Sequence, residues 1–276
     1  MSENFAKIGD IKICYEILGE EDGYPILLIH GFGVKKEVWM AQVPDLSKQF
    51  KVIRFDNRGA GKSDRPAGTT MEKFADDTKK LLDFLKIEKT HVIGWSLGGM
   101  IAQHFVLKYP EKVNKLVLIA TVHEYPTEEG PEIYKKMRLY ELEIGAEKAF
   151  WETARANFYV TYRKEMEANP KKKFFGIWSA EDYIKMVSKD PPTPQDIINQ
   201  AEALKTHHTL KRLKEIKNPT LLIAASNDRL TPKMSMEEMH REIPNSILIV
   251  IQKSAHFAPM TKTPEVNKPI IEFLKN

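Results

Sequence analysis

Six short apolar runs recur along the chain: Pro25–His30, Val52–Phe55, Val92–Gly94, Leu116–Ala120, Thr220–Ala225 and Ile247–Ile251. They are β-branched and nearly continuous rather than alternating, the pattern of strands covered on both faces in a mostly parallel sheet. Helical patterns lie between them. Met71, Phe74, Ala75, Thr78, Leu81, Leu82 and Leu85 repeat with a helical period, and Thr69 with Glu72 is expected to form a capping box at its start. Residues 97–109 read as a second helix stopped by Pro110, and Pro264–Leu274 as a terminal one, with Pro269 a discordant feature inside it. Ahead of these, Phe5–Ile8 and the alternating Ile11, Ile13, Tyr15 and Ile17 suit a hairpin through Gly9-Asp10. Strands alternating with helices define a doubly wound α/β sheet.

One connection is far too long for a single crossover helix. Ninety-eight residues separate Ala120 from Pro219, so residues 1–120 and 219–276 are expected to form the core and 121–218 a helical insertion. Asp190-Pro-Pro-Thr-Pro194 is a local breaker within it. The insertion holds 12 of the 26 aromatic residues, among them Phe150, Trp151, Phe158, Phe174, Phe175 and Trp178. Such rings suit a lid over an apolar pocket, although most are expected to form the insertion's own small core.

Composition removes several classes of function. With 276 residues, 42% of them hydrophobic, and a net charge of +4, the chain has ample core and no signature of disorder. Residues 121–218 carry 17 basic and 16 acidic side chains, against 25 and 22 elsewhere, and the longest basic run is Lys171–Lys173. A nucleic-acid footprint would be a concentrated basic stripe. Cys14, the single cysteine, excludes a disulfide framework and a Cys-rich zinc site, and fits a reducing compartment. Met1–Asp10 has no apolar stretch, and no apolar run approaches the roughly 20 residues of a membrane span. A soluble cytoplasmic protein without a membrane span is expected. Nothing in the sequence selects an oligomeric state.

The chemistry centres on Gly94-Trp95-Ser96-Leu97-Gly98. It fits G-x-S-x-G and stands between an expected strand and an expected helix, the setting of a sharp turn that exposes a serine at the sheet's C-terminal edge. A serine hydroxyl needs a base. Of eight histidines, His30 and His91 border strands and His104 lies within the helix after Ser96; His123, His207 and His208 fall in the insertion, where the His207-His208 pair reads as a surface turn, and His240 is in a polar helical stretch. Only His256, in Ser254-Ala255-His256-Phe257, follows the last strand at the edge that carries Ser96. Asp228 follows the strand Thr220–Ala225 and is the expected orienting carboxylate; Glu124 comes too long after its strand. His30-Gly31-Phe32-Gly33 leaves another strand, so the backbone N–H groups of Phe32 and Leu97 are the expected oxyanion donors, with His30 structural. Gly59-Ala60-Gly61-Lys62-Ser63 imitates the end of a P-loop, but Asp56 stands where that pattern needs glycine, and a structural turn shaped by Asp56 and Arg58 is expected.

Together HGFG at 30–33, DNRGAGKSD at 56–64, GWSLGG at 94–99, SNDRLTP at 226–232 and SAHF at 254–257 resemble the α/β-hydrolase superfamily over nearly the whole chain. The resemblance implies an eight-stranded, mostly parallel sheet flanked by helices, a helical cap after the sixth strand, and a Ser96–His256–Asp228 triad. GWSLGGMIAQ is similar to carboxylesterases and 3-oxoadipate enol-lactonase-like members. Haloalkane dehalogenases and epoxide hydrolases carry Asp where this chain has Ser96, proline iminopeptidases have a different oxyanion motif, and Phe32 interrupts the HGGG form of hormone-sensitive-lipase relatives. The expected activity is two-step hydrolysis of a small apolar or amphiphilic ester or lactone by water, with no cofactor and no metal. C–C bond hydrolysis on the same triad, acyl transfer to another acceptor, and a non-enzymatic ligand receptor on a hydrolase scaffold are the alternatives. Trp39, Trp95, Met100, Phe257 and Met260 flank the motifs and are equally suited to line the site or the core.

Overall fold

Along the third strand, Leu27 and Ile29 face one apolar layer while Ile26 and Leu28 face the other. The same period of two places Val92, Leu118 and Leu222 on the first face and Ile93, Ile119 and Ile223 on the second. Both faces are dry along these central strands, which explains why their sequences run apolar instead of alternating; the last run, Ile247–Ile251, is not covered in this way, with Ile247 exposed, because its strand lies at the sheet edge.

The computed structural model describes residues 3–125, 127 and 129–276. Its strands are β1 (Asn4–Ile8), β2 (Ile11–Gly19), β3 (Pro25–Ile29), β4 (Lys51–Phe55), β5 (Thr90–Trp95), β6 (Val113–Ile119), β7 (Thr220–Ala225) and β8 (Ser246–Ile251). They form one eight-stranded sheet in the order β1-β2-β4-β3-β5-β6-β7-β8. β1 with β2 and β2 with β4 are antiparallel; the remaining pairs are parallel. The helices are α1 (Val43–Leu46), α2 (Met71–Phe84), α3 (Leu97–Lys108), α4 (Gly130–Ile144), α5 (Ala146–Asn157), α6 (Val160–Ala168), α7 (Ala180–Ser188), α8 (Pro194–Leu204), α9 (Lys233–Glu242), α10 (Ala258–Thr261) and α11 (Thr263–Lys275). Apolar residues of α2, α3 and α9 pack on one face of the sheet, and those of α1 and α11 on the other. No helix among the described residues is long and apolar enough to cross a membrane.

Two local expectations change. The cap of α2 is Thr70, not Thr69, and its side chain accepts the Lys73 N–H. The N3 residue is therefore Lys73, which has no acceptor to return, so no box closes there. Complete boxes instead start α7, through Ser179 and Asp182, and α8, through Thr193 and Asp196. Pro269 does lie inside α11. The carbonyl it leaves without a helical partner belongs to Glu265, an exposed residue.

Between β6 and β7 run α4 to α8 and a short 3-10 turn, Leu210–Glu215. Phe150, Phe158, Phe174, Trp178 and Tyr183 are buried, but they share one apolar cluster with Phe257 and Met260 of the sheet half. Trp178 Nε1 also donates to the Met260 carbonyl at 2.9 Å. The rings therefore serve a seam as well as a local core. Phe175 is exposed. The end of this stretch is not detached either: Ile197, Leu204, Leu213 and Ile216 join the cluster built by α3 and α9.

Candidate active site

A cavity of about 300 Å³ lies where the C-terminal edge of the sheet meets the helices between β6 and β7. Ser96 and His256 reach it from the sheet, Phe32 from the loop after β3, and Arg138, Phe150 and Tyr183 from the helices between β6 and β7. Burial pushes the cavity phenols up, Tyr134 to about 12, so they are uncharged hydroxyls at neutral pH.

Ser96 is the single residue between β5 and α3, with φ 58° and ψ −121°. That conformation is strained for a residue with a side chain. The surroundings hold it: Ser96 N donates to Ile119 O at 3.0 Å, and Thr121 Oγ1 donates to Ser96 O at 2.8 Å. The turn also needs a bare backbone behind it. A Cβ on Gly98 would overlap the carbonyl oxygen of Ile29. The strand-to-helix turn thus compresses α3 onto β3 and leaves the serine at the cavity.

His256 follows β8, and its carbonyl accepts from Trp95 Nε1 at 3.2 Å. Its Nδ1 lies 2.8 Å from Asp228 Oδ2, with both side chains almost fully buried. Asp228 is fixed in turn by Leu230 N at 2.8 Å and Thr231 N at 3.0 Å on Oδ1, and by Thr231 Oγ1 at 2.7 Å on Oδ2. A carboxylate that already accepts these donors is a rigid acceptor for Nδ1–H, which leaves Nε2 as the basic nitrogen.

The loop after β3 is held just as firmly. His30 Nδ1 donates to Gly31 O at 2.8 Å, and His30 Nε2 accepts from Asn57 N at 3.0 Å. This ring has to be neutral to do both, and burial keeps its pKa below the ordinary value. The peptide it grips carries the Phe32 N–H. The second expected donor, Leu97, is the first residue of α3, where an N–H has no acceptor inside the helix.

Arg138 and Glu141, one turn apart on α4, were not legible as site residues, because an Arg/Glu pair at this spacing is ordinary on helix surfaces. Here both border the cavity, paired with each other, and Arg138 Nη2 donates to Phe32 O at 3.0 Å. Of the five flanking residues, Trp95 and Phe257 line the cavity, while Trp39, Met100 and Met260 are buried in the core.

The remaining candidates resolve as structure. Asp56 accepts from Lys36 N at 2.8 Å and Lys62 N at 3.0 Å, and Arg58 pairs with Asp77 at 2.6 and 2.7 Å, so the P-loop look-alike is a buried turn. His208 is exposed, but His207 corrects the surface reading. It is buried, with Nε2 bonded to Val122 O at 2.9 Å and Nδ1 to His104 Nε2 at 3.2 Å, because this turn closes against the segment that follows β6. Among the described residues, the one cluster of potential metal ligands is Glu3, Glu16 and Glu37, and the Lys36 ammonium already lies 2.9 Å from Glu37 and 3.6 Å from Glu3. Burial pushes the Cys14 thiol up to about 11, which makes it a poor nucleophile.

Residues 24–263 match the family model for the alpha/beta hydrolase fold. The chain belongs to the α/β-hydrolase family and is a hydrolase of that fold. A protein of Azorhizobium caulinodans named as a carbamate hydrolase, RutD, is 30% identical over 98% of this chain and 97% of its own length. A thermophilic esterase of Thermogutta terrifontis superposes with a TM-score of 0.81 at 26% identity, over 100% of this chain and 98% of its own. An enol-lactonase of Burkholderia xenovorans has a TM-score of 0.84 at 22% identity, over 99% of this chain and 100% of its own, and shares the fold.

Proposed function

We propose that the protein hydrolyses a carboxylic ester or lactone through an acyl-enzyme on Ser96. One observation carries this reading: His256, whose Nδ1 is held 2.8 Å from Asp228 Oδ2, borders the same cavity as the strained serine. In the first step Ser96 Oγ bonds to the acyl carbon as its proton passes to His256 Nε2. Asp228 holds the imidazole tautomer and stabilises the imidazolium, and the Phe32 and Leu97 N–H groups receive the oxyanion. Collapse expels the alkoxide, which takes the proton from His256. Water then repeats the sequence on the acyl-enzyme, releasing the acid and restoring Ser96. The cavity walls are largely apolar, including Val34, Leu142, Phe150 and Val187, which suits a small apolar or amphiphilic acyl group. No cofactor or metal enters these steps.

Residues 121–218 act in this reading as a cap that roofs the acyl pocket. The acyl-transfer chemistry is supported by the relatives named as a carbamate hydrolase and an esterase. The buried thiol Cys14 suits a cytoplasmic setting. The test is an aryl-ester chain-length series beside a lactone panel, with wild type and Ser96→Ala. The expected result is turnover by wild type and loss of it in a folded Ser96→Ala protein. Near-full esterase activity in that variant would sink the proposal.

A further inference from the structure

Two successive peptides in the loop after β3 are gripped from different sides of the molecule. The Gly31–Phe32 peptide, which carries the Phe32 N–H, is held by His30 of the sheet half. The next peptide, Phe32–Gly33, is held entirely by the insertion. Its carbonyl, Phe32 O, accepts from Arg138 Nη2 of α4 at 3.0 Å. Its N–H, on Gly33, donates to Gln200 Oε1 of α8 at 3.0 Å.

Both grips are themselves oriented. Glu141 pairs with Arg138 and takes the other arm of the guanidinium. Gln200 is buried, and its Nε2 donates to Gly59 O at 3.1 Å, which turns Oε1 toward Gly33. Asp196, one turn earlier on α8, pairs with Arg65 and so ties this helix to the same loop as Gly59. Gly33 completes the fit. It has φ +64°, and a methyl group there would stand 2.5 Å from Arg138 Nη2. The guanidinium occupies the space a side chain would fill.

We propose that Arg138 and Gln200 are positioning residues: by holding the two ends of the Phe32–Gly33 peptide, they let the insertion set the aim of the Phe32 N–H. The physical basis is torsional. Fixing the Phe32–Gly33 plane fixes ψ of Phe32, and fixing the Gly31–Phe32 plane through His30 then leaves φ of Phe32 no freedom to drift. An oxyanion donor is effective only when it is aimed before charge develops. Arg138 gives Nη1 to Glu141 and Nη2 to Phe32 O, so its charge is already paired within the protein. The two residues therefore act on turnover more than on substrate binding.

This inference rests on the serine-hydrolase reading for its kinetic consequence, but not for the clamp itself. The test uses Arg138→Met, Arg138→Lys, Gln200→Leu and the double variant Arg138→Met/Gln200→Leu in the full chain. With p-nitrophenyl butyrate, Arg138→Met is expected to lower kcat by roughly 10- to 100-fold with KM within about threefold, since an interaction lost only in the transition state moves kcat. Gln200→Leu should act in the same direction. The double variant should be no more than about threefold worse than Arg138→Met, because both residues hold one peptide. Arg138→Lys should recover part of kcat, since an ammonium can still donate to Phe32 O. Unchanged kcat in both single variants, or a raised KM with kcat intact, overturns the proposal. Amide exchange at Gly33, which needs no substrate, is the second readout. Wild-type protection with exchange at least tenfold faster in Gln200→Leu supports the clamp, and equal exchange overturns it. If wild type turns over no ester, the hydrolase reading falls while the exchange result still judges the clamp.

Discussion

Nδ1 of His30 donates to the carbonyl of Gly31, its own neighbour in the chain, across 2.8 Å. This short loop of bonding commits the ring to one tautomer, because Nε2 must then accept from Asn57 N. A protonated ring would carry a hydrogen on both nitrogens and would lose that acceptor. Proton uptake at His30 therefore disturbs the peptide that bears the Phe32 N–H. The protein keeps this histidine neutral by burying it.

His30 is not alone, and acid sensitivity follows. Burial pushes His91 and His104 down to about 4 and His207 to about 3, and His30 also lies below its ordinary value. An unfolded histidine binds its proton near pH 6.5, whereas these remain neutral in the folded state well below that. The unfolded chain then holds more protons, so stability is full above about pH 6.5 and is lost as pH falls toward 4. His91, His104 and His207 are each expected to cost on the order of 1–2 kcal/mol at pH 5. Urea midpoints at pH 7, 6 and 5 check the slope, and His207→Gln should make it shallower. A flat profile from pH 7 to 5 would contradict the assignment.

Asp228→Asn should be a catalytic lesion rather than a structural one. Oδ2 of Asp228 accepts from both Thr231 Oγ1 and His256 Nδ1, so an amide nitrogen there meets two donors. The imidazole relieves this by moving its proton to Nε2, which then cannot take the serine proton. We expect kcat to fall by about 10³–10⁴-fold with little change in KM. Stopped-flow or steady-state ester kinetics on the folded variant would show it, and a loss below tenfold would exclude Asp228 as the orienting carboxylate.

Much of this arrangement was legible from the chain because strand ends announce themselves. Ser96, Asp228 and His256 each follow a continuous apolar run, and a parallel sheet brings such ends to one edge. The sheet pattern was equally legible, since a strand covered on both faces has to be apolar at successive positions. What escaped were features decided by tertiary contact alone. Arg138 and Gln200 lie on helices whose sequences give no reason to single them out, and their partners are 106 and 167 residues away. Whether an aromatic ring lines the cavity, as Phe257 does, or fills the core, as Trp39 does, depends on sub-turn rotations that periodicity does not encode. The misplaced cap at Thr69 is a one-residue error of the same kind, since two adjacent threonines offer the same side-chain oxygen.

Relieving the strain at Ser96 should stabilise the fold. With φ 58° and ψ −121°, Ser96 adopts a conformation that glycine accepts freely. Such a residue stores roughly 1–3 kcal/mol, of which the added backbone entropy of glycine returns up to about 1. Ser96→Gly is therefore expected to be inactive yet about 1 kcal/mol more stable than Ser96→Ala, which keeps the Cβ and the strain. Both variants lack the hydroxyl, so their difference in denaturant midpoint isolates the backbone. Equal midpoints would mean that the turn is not strained at this residue.

At Gly98 two physical effects predict opposite signs. Gly98 lies in the first turn of α3, where helix propensity alone would make alanine favourable by as much as about 1 kcal/mol. Packing says the reverse. A Cβ there overlaps Ile29 O and comes within 2.8 Å of His30 O, both of them backbone atoms of a core strand and its exit. Neither can swing aside as a flexible side chain would, so α3 must lift from β3. That movement would carry Ser96 away from the Phe32 loop and open the packing between Leu97, Ile101 and the sheet. Overpacking of a dense core costs about 1–3 kcal/mol and sometimes more. Gly98→Ala is therefore expected to lower the thermal midpoint by several degrees and to slow ester turnover in whatever folded protein remains. A thermal midpoint at or above wild type would show that propensity wins and that the close approach of α3 to β3 is not what forms the elbow.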